Sequence, residues 1–595
     1  MCRIAGIIAK QQNTHTLQAK VATMCKALQH GGPDDEGIYT DENAGLVLGH
    51  RRLSIIDLSN NGHQPMPDMG KQAWITFNGE IYNYLDLKAE LLKQGATFNS
   101  NSDTEVIIQA YLYWGTAAFA RLRGMFAFTL YDATKNLTYL VRDSMGIKPL
   151  YYHINNAQLS FASEVRALSA AGIATATNKN WMIKFLAFGH VPEPETTLKG
   201  VFNLPKGHFL RWNNNNSTYS VERYQQSAIP NIVNDIETAK QVIADGLGVA
   251  INRQLIADAP IGVFLSGGID SSIITLLAAK YKQQQLKTIS IFFDEKAYDE
   301  SAYQQEILHK IQGEKFSHLI KQRDFEDALP AILSAMDTPT TDGVNSWFIS
   351  KYARQDGVKA VLSGIGADEL FGGYPSFNRM GLTRLLRMLP NTALKLTDKL
   401  RIDPLKRLSY LATNHYYADY LFLRGLFVPL EISEILGCSE SEIRDALFSQ
   451  PNMSFIGTSD KEKAAWFESN LYMQNQLLRD TDVMSMNHGL EVRVPFLDED
   501  FQQAVSGIAN TIRFDKRQPK KILIDTFTNI LPPSVWNRPK MGFSFPLQQW
   551  MAQHTDIVAE GIYKSKKAKH VIKAFKNNKV HWSKAFALYQ IQKHV

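Results

Sequence analysis

The segment Ile261-Gly-Val-Phe-Leu265 runs directly into Ser266-Gly-Gly-Ile-Asp-Ser-Ser272 and then into a helical pattern reaching Lys282. A short apolar strand, a glycine turn and a helix in immediate succession confine this part of the chain to a parallel α/β layer covered on both faces. Glycines at such a turn let backbone N–H groups approach a phosphate closely, and the helix N-terminus adds partial positive charge. Ser266, Ser271 and Ser272 add hydroxyl donors. Asp270 repels a phosphate unless a cation intervenes, which points to Mg²⁺. The string is not GxxxxGK[ST], so an ordinary P-loop ATPase is excluded. A Gly-Gly turn whose Asp and Ser merely cap a helix is the plain alternative.

A second apolar run, residues 358–362, ends in Ser363-Gly-Ile-Gly-Ala-Asp-Glu-Leu-Phe-Gly-Gly-Tyr374. Both glycine turns belong at the carboxyl ends of parallel strands, where open α/β sheets bind ligands. That places Asp368 near Asp270 and offers two carboxylates to a metal on a phosphate chain. A third apolar run covers 288–293, a helical pattern covers 345–354, and the chain beyond about residue 377 reads as mostly helical.

The first ~205 residues read differently. Strand patterns at 3–8, 45–56, 72–81, 125–131 and 137–142 mix with helical patterns at 16–29, 84–94 and 103–114, and short turns favour antiparallel α+β structure. Residues 204–217 look like a hairpin turn or surface loop. The expected division is a first domain over 2–205, a linker over 206–235 and a second domain over 236–595. A chain of 595 residues needs more than one core in any case.

A net charge of +6 on this length gives no argument for nucleic acid. The lysine-rich run 563–579 is read as a solvated helix face, with attraction of an acidic ligand as the sharper alternative. Three cysteines, Cys2, Cys25 and Cys438, form no CxxC pair, which argues against a disulfide framework or a cysteine zinc site. No apolar run approaches the roughly 20 residues that span a bilayer, and the first residues are too short an apolar stretch for a signal peptide. No membrane partner is expected, and the cytoplasm is the default location.

Cys2 is chemically suggestive. Removal of Met1 exposes an α-amine whose reference pKa, about 7.7–8.0, suits a base beside the thiol on the same residue. Around it stand His30-Gly-Gly-Pro-Asp34, Arg52-Leu-Ser-Ile-Ile56, Phe77-Asn-Gly-Glu-Ile-Tyr-Asn83, Ser102-Asp-Thr-Glu105 and Gly146-Ile-Lys-Pro-Leu-Tyr-Tyr152. Their order resembles class II glutamine amidotransferases. The SGGIDSS loop resembles that of ATP pyrophosphatases, and SGIGADELFGGY is similar to an element nearly diagnostic of the asparagine synthetase family. Leu478-Arg-Asp-Thr-Asp482, Glu491-Val-Arg-Val-Pro-Phe-Leu-Asp498 and Lys520-Lys-Ile-Leu523 match that family as well.

The resemblance implies an N-terminal nucleophile hydrolase of αββα sandwich form, followed by a parallel-sheet ATP-pyrophosphatase domain with a helical C-terminal part. It makes Cys2 the nucleophile and gives Arg52 the glutamine carboxylate, Asp103 the ammonium, and Asn78 with the Gly79 N–H an oxyanion hole; Glu80 joins the glutamine-binding set. Arg51 competes with Arg52 by register. Asp103 also reads as a helix N-cap, and Asn78-Gly79 also reads as a hairpin turn. For the ATP site the resemblance implies Leu265, Ser266, Gly267, Gly268, Asp270, Ser271, Ser272, Ile291, Ser363 and Gly364, with Asp270 and Asp368 as magnesium ligands. Lys521 is the expected catalytic cation and Lys520 its adjacent rival. The reaction implied is ATP-driven amidation of a carboxylate through its adenylate, with ammonia passing through an internal tunnel. Asparagine from aspartate is the default product, a sugar (uronic) acid is the alternative acceptor, and a homodimer is compatible with the family.

Two departures bear on the acceptor. The family's aspartate-using members carry an acid at the first x of SGxGxDE, where this chain has Ile365. The segment Asp337-Thr-Pro-Thr-Thr-Asp-Gly-Val-Asn-Ser-Trp347 also looks less like housekeeping asparagine synthetases.

Overall fold

The computed structural model describes residues 2–225, 232–400, 402–455, 459–515 and 517–594. In the N-terminal half, two six-stranded antiparallel sheets stack face to face. The first has the order β10 (Val201–Asn203), β8 (Tyr151–Asn155), β9 (Gln158–Ala162), β1 (Arg3–Ile8), β3 (Leu46–Arg52), β2 (Asp35–Asp41). The second runs β12 (Tyr219–Arg223), β11 (His208–Asn213), β7 (Leu137–Arg142), β6 (Gly124–Asp132), β5 (Ala73–Ile81), β4 (Met66–Pro67).

Strand alternation builds the layers. On β1, Ile4 and Ile8 face the second sheet and pack with Ala127, Leu140 and Leu210. Ala5 and Ile7 face the other way, onto Leu17, Val21 and Met24 of helix Thr14–Ala27. Helices Tyr84–Lys93 and Asp103–Trp114 cover the second sheet through Leu87, Leu91, Val106 and Ile107 against Ile75, Phe77 and Phe128. The result is the αββα sandwich expected of the family.

Two boundaries differ from the sequence reading. The strand expected over 45–56 ends at Arg52, because Leu53 and Ile55 leave the sheet to join the core of the C-terminal half. Residues 208–223, read as linker, form the hairpin β11–β12, and β11 pairs with β7 at the edge of the second sheet. The linker reading therefore narrows to the residues after Arg223, of which 226–231 lie outside the described residues.

The C-terminal half is organised by a five-stranded parallel sheet of order β15 (Glu314–Ile320), β14 (Lys287–Phe293), β13 (Ile261–Phe264), β16 (Ala360–Leu362), β17 (Glu491–Arg493). The chain leaves β13 toward β14 on one side and returns to β16 on the other. The switch point between β13 and β16 is where such sheets open a ligand crevice. Both glycine turns lie there. The remaining C-terminal residues are mostly helical, including a π-helical stretch Glu468–Leu478 that continues into helix Arg479–Met486.

Candidate functional sites

Cys2 lies just before β1 and is 7% exposed. Its backbone nitrogen, the atom that becomes an amine once Met1 is cleaved, donates to Asn78 Oδ1 over 3.2 Å. Burial pushes the Cys2 thiol up, and the Arg52 guanidinium is one of the groups drawing it back. Asn78 is fully buried and its Nδ2 has no protein partner. An unpaired buried donor costs about 1–3 kcal/mol, and here it belongs to the carboxamide whose oxygen holds the Cys2 nitrogen. Such a group can receive an oxyanion formed at the thiol.

Asn78 and Gly79 sit inside β5, opposite Ala127 and Phe126 of β6, so the hairpin-turn reading of this pair is wrong. A Cβ on Gly79 would lie 2.7 Å from Phe126 Cα. The glycine is there because two strands approach too closely for a side chain.

Of the two arginines on β3, Arg51 turns to the Gly32 carbonyl (3.2 Å) and to Glu36. Arg52 turns toward Cys2, its guanidinium held by the carbonyls of Ser59 (3.0 Å) and Asp57. Gly62 makes room for it, since a Cβ there would lie 2.6 Å from Arg52 Cζ. Of the two, Arg52 is the one whose charge acts on the Cys2 thiol. Asp103 opens its helix, but the N-cap is Ser102, whose hydroxyl accepts from the Thr104 N–H. The Asp103 carboxylate instead accepts from the Ile81 N–H at the end of β5 (2.9 Å), and burial raises its pKa to about 6. Glu80, also buried, is raised well above the usual carboxylate range by burial and by Glu491, against the pull of Arg493.

The second site lies at the switch point. Helix Ile269–Lys282 starts earlier than its apolar pattern indicated, so Asp270, Ser271 and Ser272 occupy its first turn. Gly267 adopts φ +88, which a side chain would strain. Ser271 Oγ ties the turn together, within 2.9 Å of Ser266 Oγ and 3.2 Å of the Ser266 nitrogen. Ser272 Oγ and Asp270 Oδ1 are buried without partners. The Ser363–Gly366 turn abuts this loop closely, for a Cβ on Gly364 would meet Asp270 Cβ at 3.0 Å. Leu265, just after β13, and Ile291, within β14, are both buried, and Gln304 Nε2 donates to the Ile291 carbonyl (2.9 Å).

Asp270 and Asp368 come together as expected, bridged by a lysine. It is Lys520, not Lys521. Lys520 Nζ lies 2.6 Å from Asp270 Oδ2 and 2.5 Å from Asp368 Oδ1, with the side chain 4% exposed. Lys521 points outward, 44% exposed, and pairs with Asp525 one turn along the same helix. The cause is local: Lys520 takes a left-handed conformation, φ +58, at the head of helix Lys521–Phe527, which aims its side chain back into the crevice. Burial raises the Asp270 carboxyl against the pull of Lys520. Asp368 shares that burial, yet Lys520 and Lys540 together hold it below the usual range.

These donors fit a magnesium ion. Two carboxylates, one with a buried oxygen lacking any partner, are hard ligands of the kind Mg²⁺ prefers. Among the described residues no cluster of three or more His, Cys, Asp or Glu side chains is arranged for a metal. A cation here would complete its shell from phosphate oxygens and water.

Sequence reasoning missed several members. Lys540 Nζ reaches Asp368 Oδ1 (2.6 Å) and the Gly373 carbonyl (3.1 Å). Arg538 donates to the Gly267 carbonyl (3.0 Å) and pairs with Glu300. Four residues after the half-buried Ile365, Glu369 accepts from the Tyr374 hydroxyl (2.9 Å) and burial raises it to about 8. Arg424 lies over the rings of Tyr374 and Tyr472 while pairing with Glu468 at 2.8 Å.

The two sites are physically joined. Arg3, the neighbour of Cys2, is fully buried and reaches Glu164 (2.7 Å) and Asp482 of helix Arg479–Met486 (2.8 Å), and Lys148 holds the same Asp482 (3.1 Å). Arg493 on β17 links Glu491 (2.5 Å) to Glu80 beside the first site (3.5 Å). Leu53, Ile55, Met125 and Ile147 from the N-terminal half share one apolar cluster with the C-terminal core.

Comparison with known proteins agrees with this arrangement. A family model described as a glutamine amidotransferase domain matches residues 1–225, and one described as asparagine synthase matches residues 242–581. Asparagine synthetase [glutamine-hydrolyzing] 1 of Bacillus subtilis is 31% identical over 93% of this chain and 88% of its own length. Asparagine synthetase [glutamine-hydrolyzing] 3 of the same organism is 28% identical over 91% and 86%. A fungal protein named Amidase chry2, from Gibberella zeae, is 27% identical over 89% and 85%.

Proposed function

The chain belongs to the glutamine-hydrolysing asparagine synthetase family, and from that premise we propose that its first site releases ammonia from glutamine for amidation of a carboxylate at the second. Cys2 Sγ attacks the side-chain amide of glutamine, with its own freed α-amine taking the proton. Arg52 binds the substrate carboxylate and Asp103 the ammonium. Asn78 Nδ2 and the Gly79 N–H receive the oxyanion; the unpartnered Nδ2 is the observation that carries this half of the reading. Ammonia leaves, and water hydrolyses the thioester.

At the second site, the serine-glycine loop and the head of helix Ile269–Lys282 cradle the ATP phosphates. Asp270 and Asp368 would hold magnesium, which supplies charge neutralisation on the phosphates. Lys520 neutralises charge as the acceptor carboxylate forms its adenylate with loss of pyrophosphate, and ammonia displaces AMP to give the amide. The shared apolar core between the halves supports direct transfer of ammonia, which is mostly protonated in bulk water at neutral pH. The reaction takes place in the cytoplasm.

Aspartate is the first acceptor to assay, since the relatives are named as asparagine synthetases. A second reading, amidation of another carboxylate such as a uronic acid, is favoured by Ile365: an apolar side chain cannot take a proton or steer ammonia. Pyrophosphate and AMP release with aspartate, then with uronic acids, separates the two. No aspartate-dependent pyrophosphate release, in a protein that still hydrolyses glutamine, would eliminate asparagine as the product.

A further inference from the structure

One stretch, beginning just after the Gly372-Gly373-Tyr374 turn of the second site, carries an unusual surface. Of the 24 large apolar side chains that stand well exposed among the described residues, eight fall between Leu382 and Leu405: Leu382, Leu385, Met388, Leu389, Leu396, Leu400, Ile402 and Leu405. Met388 is 80% exposed, Leu385 63% and Leu396 60%. Scattered exposed leucines need no explanation, but a concentration of this kind does.

The placement is systematic. Helix Ser376–Leu386 buries Phe377, Met380 and Thr383 on its inner side. Leu382 and Leu385 follow i, i+3 spacing on this helix, which sets them on the opposite side, and Met388 and Leu389 follow just past its C-terminal end. The helix therefore has two apolar faces and only one is used by the fold.

Charge accompanies the outward face. Residues 376–407 contain eight Lys and Arg against two Asp, although Arg387 is paired with Asp419 (2.6 Å) and Lys406 with Glu431 (2.7 Å). Arg384 is 84% exposed, and Arg379, Lys395 and Lys399 are exposed as well. Neither acid stands on this face: Asp403 pairs with Lys406 and Lys584, and Asp398 is buried. The corner is fixed by Glu431, which holds Lys406 (2.7 Å) and Lys584 (3.3 Å), with Lys567 nearby at 3.8 Å. Lys567 belongs to helix Lys566–Lys576, which buries Ala568, Val571, Ile572 and Phe575 and leaves Lys566, Lys569, Lys573 and Lys576 outside. The lysine run seen in the sequence thus borders the same corner.

We propose that the described residues of the stretch 376–407 form a docking surface for an anionic phospholipid bilayer, with the exposed leucines and Met388 entering the interface and Arg379, Arg384, Lys395 and Lys399 meeting the headgroups. Exposed apolar side chains ringed by Lys and Arg are the composition of segments that lie in a membrane interface. No helix among the described residues is long and apolar enough to cross a membrane, so contact would be from one side. A second copy of the chain is a poorer occupant, because a two-fold contact would press this cationic rim against itself. The sequence, judged only for spanning segments, gave no reason to expect such a partner.

Co-sedimentation of the full chain with phosphatidylglycerol vesicles tests this, alongside Leu385→Glu/Met388→Glu and Arg384→Glu/Lys395→Glu variants. Wild-type protein is expected to sediment with these vesicles and not with phosphatidylcholine. Either double variant should lower the partition coefficient about tenfold or more while leaving glutaminase turnover intact. Absence of sedimentation, or equal sedimentation of wild type and variants, overturns the proposal. So does a dimer, seen by analytical ultracentrifugation without vesicle binding, that the same substitutions dissociate.

Discussion

Replacing Lys520 by methionine separates the two lysines that sequence register could not. In the wild type its ammonium lies 2.5–2.6 Å from two carboxylates and is 4% exposed. Removing one partner of a buried ion pair costs about 3–5 kcal/mol, because the charge left behind stays desolvated. Here two carboxylates are left facing each other, and uptake of a proton by one of them recovers part of that cost. Loss of a preorganised charge where anionic charge develops lowers turnover by about 10²–10³. Lys521 offers the contrast: its 44% exposed side chain pairs only with Asp525 at i,i+4, an interaction of about 0.3–0.5 kcal/mol. Lys521→Met should therefore leave the enzyme nearly unchanged. The assay is pyrophosphate release with ATP, acceptor and ammonium, run beside glutaminase turnover, which reports that the N-terminal half remains folded. Lys520→Met keeping most of its pyrophosphate release, or Lys521→Met losing it, would refute the assignment.

Other expectations concern the first site. Burial raises Asp103 to about 6, so its carboxylate is charged above that pH and neutral below it. Glutamine-dependent kcat/KM should fall as pH drops through about 6, while ammonium-driven pyrophosphate release at saturating total ammonia lacks that particular limb. Because the folded pKa is raised, ionised Asp103 costs stability at neutral pH. Asp103→Asn should weaken glutamine binding without lowering Tm, and a clear loss of Tm would contradict this. Asn78→Ala removes an oxyanion donor and should cut glutaminase kcat about 10²–10³-fold with little change in KM; a pure KM effect would assign Asn78 to binding instead.

Much of this was legible in the chain because local chemistry fixed it. Strand-turn-helix order placed SGGIDSS and SGIGADE at one switch point, and alternation on β1 and β5 gave both faces of the sandwich. What escaped had non-local or conformational causes. Lys520 faces the site because it adopts a left-handed backbone that no periodicity reports. Asn78-Gly79 suggests a turn when taken alone, but it lies within the strand expected over 72–81, opposite β6. Arg538 reaches the Gly267 carbonyl and Lys540 reaches Asp368 from a segment with no distinguishing pattern, and Arg3 finds Asp482 across 479 residues. The strand β17, three residues long, is set by its place beside β16 rather than by its own composition.

The claim that Cys2 supplies ammonia to a separate ATP-driven site is tested most directly by one measurement on Cys2→Ala: acceptor-dependent pyrophosphate release with glutamine and with ammonium as alternative nitrogen sources. The account expects release with glutamine to vanish and release with ammonium to stay near the wild-type rate. Loss of both in a folded variant, or retention of glutamine-driven release, would contradict it.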